Sequence, residues 1–214
     1  MINIKKVNNK YKEYAKIRGV IHIGAHMMQE RNAYLRCGLD NTIWIEGNKN
    51  IYEKICKLVK NTNERVFSYV VSDKDDEEVD FNITTNNGQS SSILKLGQRH
   101  LIEHPNVLVS KTVKTKTRRM STIIKSNNIQ IENYNFLTLD VQGAELLVLK
   151  GFGNLLNKFD FICSEVNADY LYKDCALIGE IDDYLLSFGF QRKETEMTRH
   201  KWGDALYVKQ NLLS

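Results

Sequence analysis

The sequence lacks the features of secreted and membrane-bound proteins. It holds one proline and four scattered cysteines without a C-x-x-C pair, so it predicts neither a disulfide framework nor a zinc site. No apolar run approaches the roughly 18 residues of a membrane helix. The opening Met-Ile-Asn-Ile-Lys-Lys has no apolar stretch of the kind found in secretory signals. We therefore expect a cytoplasmic protein with no membrane partner.

The sequence also has no strong excess of either charge. Its 30 basic and 26 acidic residues give a net charge of +4, and 42% of its residues are hydrophobic. This balance is typical of a globular protein with a packed core. At 214 residues we expect one domain over 1–214, with its core at roughly 18–210. The modest charge permits an anionic partner without requiring nucleic acid. The sequence does not determine the oligomeric state, and a homodimer is one option.

Short apolar runs alternate with helical patterns, which is typical of a parallel sheet wrapped by helices on both faces. Buried strands are predicted at 19–24, 42–46, 65–71, 135–140 and 159–165, and an antiparallel pair at 190–196 and 204–209. Helices are predicted at 10–17, 29–37, 50–60, 121–127, 144–150 and 178–188. The segment 79–118 is less regular and holds a turn-rich stretch at 86–92, so we expect an irregular insertion near a substrate mouth.

Polar residues follow the carboxyl ends of five predicted strands, where ligands bind in an open parallel sheet. The candidate residues at these ends, with the small residues of the first turn, are His22, Gly24, Ala25 and His26 at the first strand, Glu46 at the second, Ser72 and Asp73 at the third, Asp140 at the fourth and Glu165 at the fifth. Core packing alone does not account for polar groups at five strand ends. The sequence therefore predicts one binding site along this edge of the sheet.

Glu46 is the most informative of these residues. It ends the second strand about twenty residues past a glycine turn. A carboxylate at this place can accept hydrogen bonds from both hydroxyls of an adenosine ribose. The turn reads Gly-Ala-His-Met-Met-Gln from Gly24, without the later glycines that place a pyrophosphate on a helix N-terminus. An adenosine cofactor without phosphate, such as S-adenosyl-L-methionine, fits this turn better than a dinucleotide.

The segment 135–151, Asn-Phe-Leu-Thr-Leu-Asp-Val-Gln-Gly-Ala-Glu-Leu-Leu-Val-Leu-Lys-Gly, closely resembles the signature of FkbM-type methyltransferases. Segments 20–46 and 162–166 resemble the family's first two strands and its fifth, so the likeness covers roughly 18–170. It implies a Rossmann-like class I α/β fold, with a mostly parallel seven-stranded sheet and an antiparallel C-terminal strand. It also implies S-adenosylmethionine as methyl donor and O-methylation of a hydroxyl, often on a sugar, a glycan or a natural product.

The likeness also implies roles for the residues at the strand ends. Gly24 and Ala25 would line the methionine part of the cofactor, in the same motif as His22 and His26. Glu46 would bind the ribose, Ser72 and Asp73 would lie by the adenine, and Asp140 would lie beside the sulfonium and its methyl group. The chain departs from the family pattern Asp-x-Gly-Ala-Asn-x-Gly at His22, His26 and Met28, and Gln142 replaces a glutamate.

A sugar hydroxyl is a poor nucleophile, so its methylation calls for a base that accepts the hydroxyl proton. The candidates are Asp140, Glu165 and His26, with a loop-anchoring role as the alternative for Glu165. Asp140 and Glu165 close adjacent predicted strands and are placed to share a divalent ion. Two carboxylates are few ligands for a divalent ion, so we predict a reaction without metal.

Other assignments stay open at this point. The basic run 111–119 predicts either a charged edge strand or a cradle for phosphates, so a nucleotide-sugar or an RNA or cap ribose is an alternative acceptor. The replacements at His22 and Met28 leave a catalytically inactive S-adenosylmethionine-binding module as a further option. Tyr172 follows the fifth strand, where it would stack on a sugar ring or anchor the fold.

Overall fold

The fold is built on ten strands and seven α-helices within residues 1–212, which a computed structural model describes. The strands are β1 (Val20–Ile23), β2 (Thr42–Glu46), β3 (Arg65–Ser68), β4 (Val70–Val71), β5 (Glu78–Thr84), β6 (Val109–Arg118), β7 (Phe136–Leu139), β8 (Phe161–Asn167), β9 (Phe190–Met197) and β10 (Trp202–Lys209). The helices are α1 (Ile4–Tyr11), α2 (Arg31–Arg36), α3 (Lys49–Leu58), α4 (Gln98–Glu103), α5 (Met120–Ser126), α6 (Glu145–Phe152) and α7 (Ile178–Leu186).

Seven of these strands form the main sheet, in the order β3-β2-β1-β7-β8-β10-β9. The five strands from β3 to β8 run parallel, and β10 is antiparallel to both of its neighbours. In the centre of the sheet, Ile21 lies beside both Ile43 and Leu137. This topology confirms the predicted Rossmann-like fold. The strand order reverses at β1, which places a crevice between the carboxyl ends of β1 and β7.

Helices cover both faces of this sheet, which explains the continuous apolar runs of its central strands. Every residue of β1, β2, β7 and β8 is buried. One face packs against α5, α6 and α7, and the other packs against α1, α2 and α3. The core residues that these helices contribute include Ile123, Val148 and Ile181 on the first face and Val7, Tyr34 and Ile55 on the second.

A second, smaller sheet has the order β4-β6-β5, and its two long strands come from the segment predicted to be irregular. The long strands β5 and β6 pair antiparallel, and β4 joins β6 through Val70 and Val71. The predicted strand at 65–71 is therefore wrong as one strand, because β3 ends at Ser68. The lysines of β6 are exposed, and Val109 and Val113 are the only apolar residues among its ten, so the strand has little hydrophobic signal.

The N-terminal helix also differs from the prediction. The sequence pattern favours a helix at 10–17, whereas α1 ends at Tyr11. The Asn3 side chain accepts a hydrogen bond from the backbone of Lys5 and so caps the start of the helix. Val7 and Tyr11 are buried on its inner face, so tertiary packing fixes the helix earlier in the chain.

The described residues include no helix that is both long and apolar enough to cross a bilayer. Within the same residues, all four cysteines are free thiols. Cys163 and Cys175 are buried, where a thiol packs as a small apolar side chain.

Candidate active site

A cavity of about 480 Å³ opens at the carboxyl ends of the central strands. Its size is within the range of small-molecule and cofactor sites. Gly24 after β1, Glu46 in β2, Asp140 after β7 and Glu165 in β8 all line it. These four residues, predicted from the strand ends of the sequence, therefore lie together where the strand order reverses.

Five of the nine predicted site residues line the cavity, since His26 joins the four at the strand ends. His22, Ala25, Ser72 and Asp73 are not among the lining residues. The third strand ends before them, so Tyr69, Val70 and Val71 line the wall that the prediction gave to Ser72 and Asp73. The far wall includes Ser90, Ser92 and His100, which belong to the segment expected near a substrate mouth. Tyr172, expected to stack on a sugar or to anchor the fold, also lines it, as does Trp202, which the sequence did not mark.

Gly24 allows the two central strand ends to approach each other. Its backbone is left-handed at φ +85°, and a Cβ atom there would lie 1.7 Å from the Asp140 carbonyl oxygen. No side chain fits that space, so only glycine permits this backbone. The N–H groups of Gly24 and Ala25 donate to the Ile45 carbonyl at 2.9 and 3.0 Å, which holds the turn against β2.

Glu46 is held in place by the backbone around it. One carboxylate oxygen accepts from the His26 N–H at 2.7 Å, and the other accepts from the Asn48 N–H at 2.6 Å. Burial raises the pKa of Glu46, and these two hydrogen bonds oppose the rise. A carboxylate offers about four lone-pair sites, so each oxygen keeps one for a further donor. The arrangement therefore fits a ribose diol, whose two hydroxyls need two acceptors.

His26 joins the glycine turn to the loop at 86–92. Its Nδ1 lies 2.9 Å from the Gln29 amide nitrogen, so Nδ1 accepts and the ring proton is on Nε2. Nε2 then donates to the Asn87 carbonyl at 2.9 Å. Both ring nitrogens are thus engaged in protein contacts. The catalytic role of His26 stays a prediction, and in this arrangement the ring holds the loop against the cavity.

His22 is a core residue in this structure. It is buried beneath the cavity, and burial lowers its pKa to about 3. Its Nδ1 is 3.0 Å from the Tyr34 hydroxyl, which is in turn 3.0 Å from the Thr138 hydroxyl. The ring also contacts Trp44, with centroids 4.9 Å apart. The neutral imidazole therefore packs within the apolar layer between the sheet and α2.

Asp140 and Glu165 form a carboxyl pair at the floor of the cavity. Burial raises the pKa of both residues, and the Asp140 charge raises that of Glu165 further. The Gln142 side-chain nitrogen lies between them, 2.6 Å from Asp140 Oδ1 and 2.8 Å from Glu165 Oε2. Two carboxyl groups this close disfavour a second negative charge. The pair is therefore suited to carry one proton and one charge near neutral pH.

Glu145 lies behind this pair, at the start of α6. Its Oε1 accepts from the Val141 N–H at 3.0 Å and from the Gly143 N–H at 3.2 Å. It is buried and does not line the cavity. Burial raises its pKa to about 7. These contacts shape the turn between Asp140 and α6, so Glu145 has a structural role.

We expect Glu145→Gln to stabilise the protein at alkaline pH. The folded chain binds the Glu145 proton more tightly than the unfolded chain, because its pKa rises from 4.5 to about 7 on folding. The free energy of unfolding therefore falls as the pH rises through this window. Glutamine keeps an oxygen for the two N–H donors and cannot ionise. At pH 8 the variant should gain about 3 kcal/mol over wild type, with little difference at pH 4.5. Urea unfolding at both pH values measures this; an equal difference at the two would contradict it.

The cavity is acidic. No lysine or arginine of the described residues lines it, whereas five carboxyl groups do: Glu30, Glu46, Asp140, Glu165 and Asp204. Opposite charges attract strongly in such a partly buried site. The described residues contain no cluster of three or more His, Cys, Asp or Glu side chains able to hold a metal ion. The site therefore favours a ligand with positive charge, such as a sulfonium.

The fold and the site together define a Rossmann-like methyltransferase, with S-adenosylmethionine as its cofactor. The sheet topology is that of this class, and the Glu46 carboxylate lies at the strand ends, held by the N–H groups of His26 and Asn48. The chain belongs to the FkbM methyltransferase family, because the family described as Methyltransferase FkbM domain matches residues 22–192. This match confirms the resemblance of segment 135–151.

A curated relative is 2-O-methyltransferase NoeI of Sinorhizobium fredii, 28% identical over 129 residues. The match covers 58% of this chain and 52% of NoeI, so the chain aligns with about half the length of that relative. Among solved structures, the methyltransferase domain of bacterial CtHen1-CN has a TM-score of 0.50 at 8% identity, covering 96% of this chain and 95% of that chain. A protein of the NADB-Rossmann superfamily from Streptococcus agalactiae has a TM-score of 0.51 at 11% identity, covering 98% and 68%. These two structures share the fold.

Proposed function

We propose that the protein methylates a hydroxyl group of a sugar or glycan. The observation that carries this proposal is the Asp140 and Glu165 carboxyl pair at the floor of the cavity. A paired acid and base is what a weakly acidic hydroxyl needs to lose its proton during transfer. The name of the relative NoeI, a 2-O-methyltransferase, supports oxygen as the acceptor atom.

The far wall of the cavity supports a carbohydrate acceptor. It combines the hydroxyls of Ser90 and Ser92, the imidazole of His100 and the aromatic rings of Tyr172 and Trp202. Aromatic side chains offer an apolar face and a polar edge, which suits the two faces of a sugar ring. The buried Nδ1 of His100 has no hydrogen-bond partner among the described residues. Such an atom favours a ligand that supplies a hydroxyl.

The charge of the cavity supports an acceptor without phosphate. Five carboxyl groups line the cavity and no lysine or arginine does so among the described residues, while the Met1 amino group there is paired with Asp204. A nucleotide-sugar or an RNA phosphate would therefore meet repulsion there. The basic residues of β6 lie on the smaller sheet, where Lys114 is 3.4 Å from Asp80. We therefore favour a neutral sugar over a nucleic acid.

The residues of this chain divide the reaction between them. S-adenosylmethionine, when bound, supplies a methyl group on a positively charged sulfur. Glu46 would hold the ribose, and the acidic cavity would favour the sulfonium charge. Asp140 would accept the acceptor proton as the hydroxyl oxygen forms its bond to the methyl carbon and the bond to sulfur breaks. Glu165 would share the remaining proton of the pair, and the walls would exclude water and orient the acceptor.

The test is a transfer assay with methyl-labelled S-adenosylmethionine. The panel of acceptors should contain neutral oligosaccharides, nucleotide-sugars and a capped RNA oligonucleotide, each analysed by mass spectrometry. We expect one labelled methyl ether on a neutral sugar and none when Asp140→Asn replaces the wild type. Label confined to RNA would overturn the proposal in favour of a ribose methyltransferase. Cofactor binding without transfer to any member would instead indicate an inactive binding module.

We also propose a cytoplasmic location for this reaction. All four cysteines, within residues 1–212, are free thiols, and two part-exposed ones, Cys37 and Cys56, would oxidise readily outside a reducing compartment. Fractionation of cells that produce the full chain tests this; recovery in the medium would contradict it.

A further inference from the structure

Gln142 lies between the two carboxyl groups that we assign to proton transfer. Its side-chain nitrogen is 2.6 Å from Asp140 Oδ1 and 2.8 Å from Glu165 Oε2. A primary amide nitrogen carries two hydrogens, so each hydrogen serves one carboxyl group. Each of the two carboxyl groups influences the pKa of the other. The amide therefore closes a three-membered network across the floor of the cavity.

The orientation of this amide is fixed from its other end. Gln142 Oε1 accepts from the Tyr172 hydroxyl at 2.6 Å, while the Ser90 carbonyl is 3.4 Å from the same hydroxyl. Since a hydroxyl has one proton and the Gln142 contact is shorter, Tyr172 donates to Gln142. The amide nitrogen then has to face the carboxyl pair. Tyr172 is buried and packs against Gly143, where a Cβ atom would lie 2.9 Å from its ring.

The backbone of Gln142 adds a second indication that this position is specialised. Its φ of +59° is in the left-handed region, which is uncommon for residues other than glycine, asparagine and aspartate. Residues stay in such conformations only where the surroundings determine them, and they concentrate at functional sites. Here the conformation brings a long amide side chain back over the end of β7 instead of into solvent.

We propose that Gln142 is a positioning residue that holds Asp140 and Glu165 as a coupled unit, with one of them ionised to act as base. This inference rests on the proposed function, because it concerns the same carboxyl pair. Neighbouring negative charge and burial both favour protonation of the pair. Two N–H donors aimed at the pair stabilise its ionised form. Without them, both carboxyl groups would be protonated near neutral pH and no base would remain.

Other charged and titratable groups face the pair and must be held constant in any test. They are Glu145 on α6, Asp204 on β10, Glu30 before α2, Glu46 on β2, Tyr172 and the amino group of Met1. The variants below leave all of these groups in place except Tyr172, which is changed on its own.

The test is a pH titration of the carboxyl carbons of Asp140 and Glu165 by ¹³C NMR on the full chain. Gln142→Glu keeps the shape of the side chain and replaces both donors by acceptors, and Gln142→Met removes the polar group. We expect the first ionisation of the pair to move upward by about one pH unit or more in both variants. Tyr172→Phe keeps the amide but frees its orientation, so it should move the midpoint in the same direction by a smaller amount.

Two further measurements separate positioning from a structural role. Calorimetry should show that both Gln142 variants still bind S-adenosylmethionine, with an affinity within about tenfold of wild type. Once an acceptor is known, the acidic limb of its kcat profile should move by the same amount as the NMR midpoint, and its KM should change little. Unmoved titrations in Gln142→Glu and Tyr172→Phe, with both variants folded, would overturn the proposal. Failure of the transfer assay on sugars would refute the proposed function and leave the titration result intact.

Discussion

Asp140→Asn is expected to lower kcat by about two to four orders of magnitude, the usual contribution of a general base. Asparagine keeps an oxygen at the position that accepts from Gln142, so the network beneath the cavity survives. It cannot take a proton from the acceptor. Because burial already raises the pKa of Asp140, loss of its charge costs the fold little. The variant should therefore unfold at the temperature of wild type, within a few degrees.

The measurement is single-turnover transfer of the labelled methyl group, with cofactor affinity determined separately by calorimetry. Glu145→Gln is the matched control, since it also neutralises a carboxyl group of this cluster without lining the cavity. Its kcat should stay within about tenfold of wild type, against at least a hundredfold loss for Asp140→Asn. Full activity of Asp140→Asn would assign the proton transfer to another group, with Glu165 and His26 the next to examine.

Glu46→Ala is expected to weaken S-adenosylmethionine binding by about a hundredfold, the value of two hydrogen bonds between a carboxylate and the ribose hydroxyls. The carboxylate is preorganised by the N–H groups of His26 and Asn48, so little entropy is lost when a ribose binds. Alanine leaves those two N–H groups without their acceptor. Circular dichroism and thermal unfolding should accompany the calorimetric titration for this reason.

Asp73→Asn gives the contrasting result. The likeness to the family places Asp73 by the adenine, whereas in the structure it does not line the cavity and lies 3.2 Å from the Ser72 hydroxyl. Its affinity for S-adenosylmethionine should stay within about threefold of wild type. Unchanged affinity in a folded Glu46→Ala variant would refute the ribose assignment. A large loss in Asp73→Asn would show that the adenine reaches further along the chain than Val71.

The main sheet was predictable because its strands are buried on both faces. Runs such as Val20–Ile23 and Phe136–Leu139 are buried throughout and apolar at three of four positions, and a run of this kind is distinctive. The smaller sheet was not predictable in the same way. Strand β6 alternates lysine with threonine, and its lysines are exposed. Its hydrophobic pattern therefore does not indicate that it pairs with β5.

The candidate site was predictable where strand ends determine it. Gly24, Glu46, Asp140 and Glu165 were found because parallel strands deliver their last residues to one edge. The far wall was predictable only in part. The segment 79–118, which contains His100, was expected near the substrate mouth, whereas its approach to Trp202 of β10 depends on the tertiary fold. Tyr172 was expected to stack on a sugar or to anchor the fold. Its hydroxyl also orients Gln142, and no local sequence pattern encodes that contact.

The contact between Gly24 and the Asp140 carbonyl has a consequence for how acceptor preference can change. The glycine turn that we expect to bind the cofactor contacts the proposed base through backbone atoms alone, and no side chain fits between them. Neither half can be reshaped by substitution without displacing the other. New specificities should therefore be selected in the wall around Ser90 and His100, whose side chains lie apart from the contact between Gly24 and Asp140. A library restricted to that wall should yield altered acceptors, while one at the glycine turn should yield inactive protein.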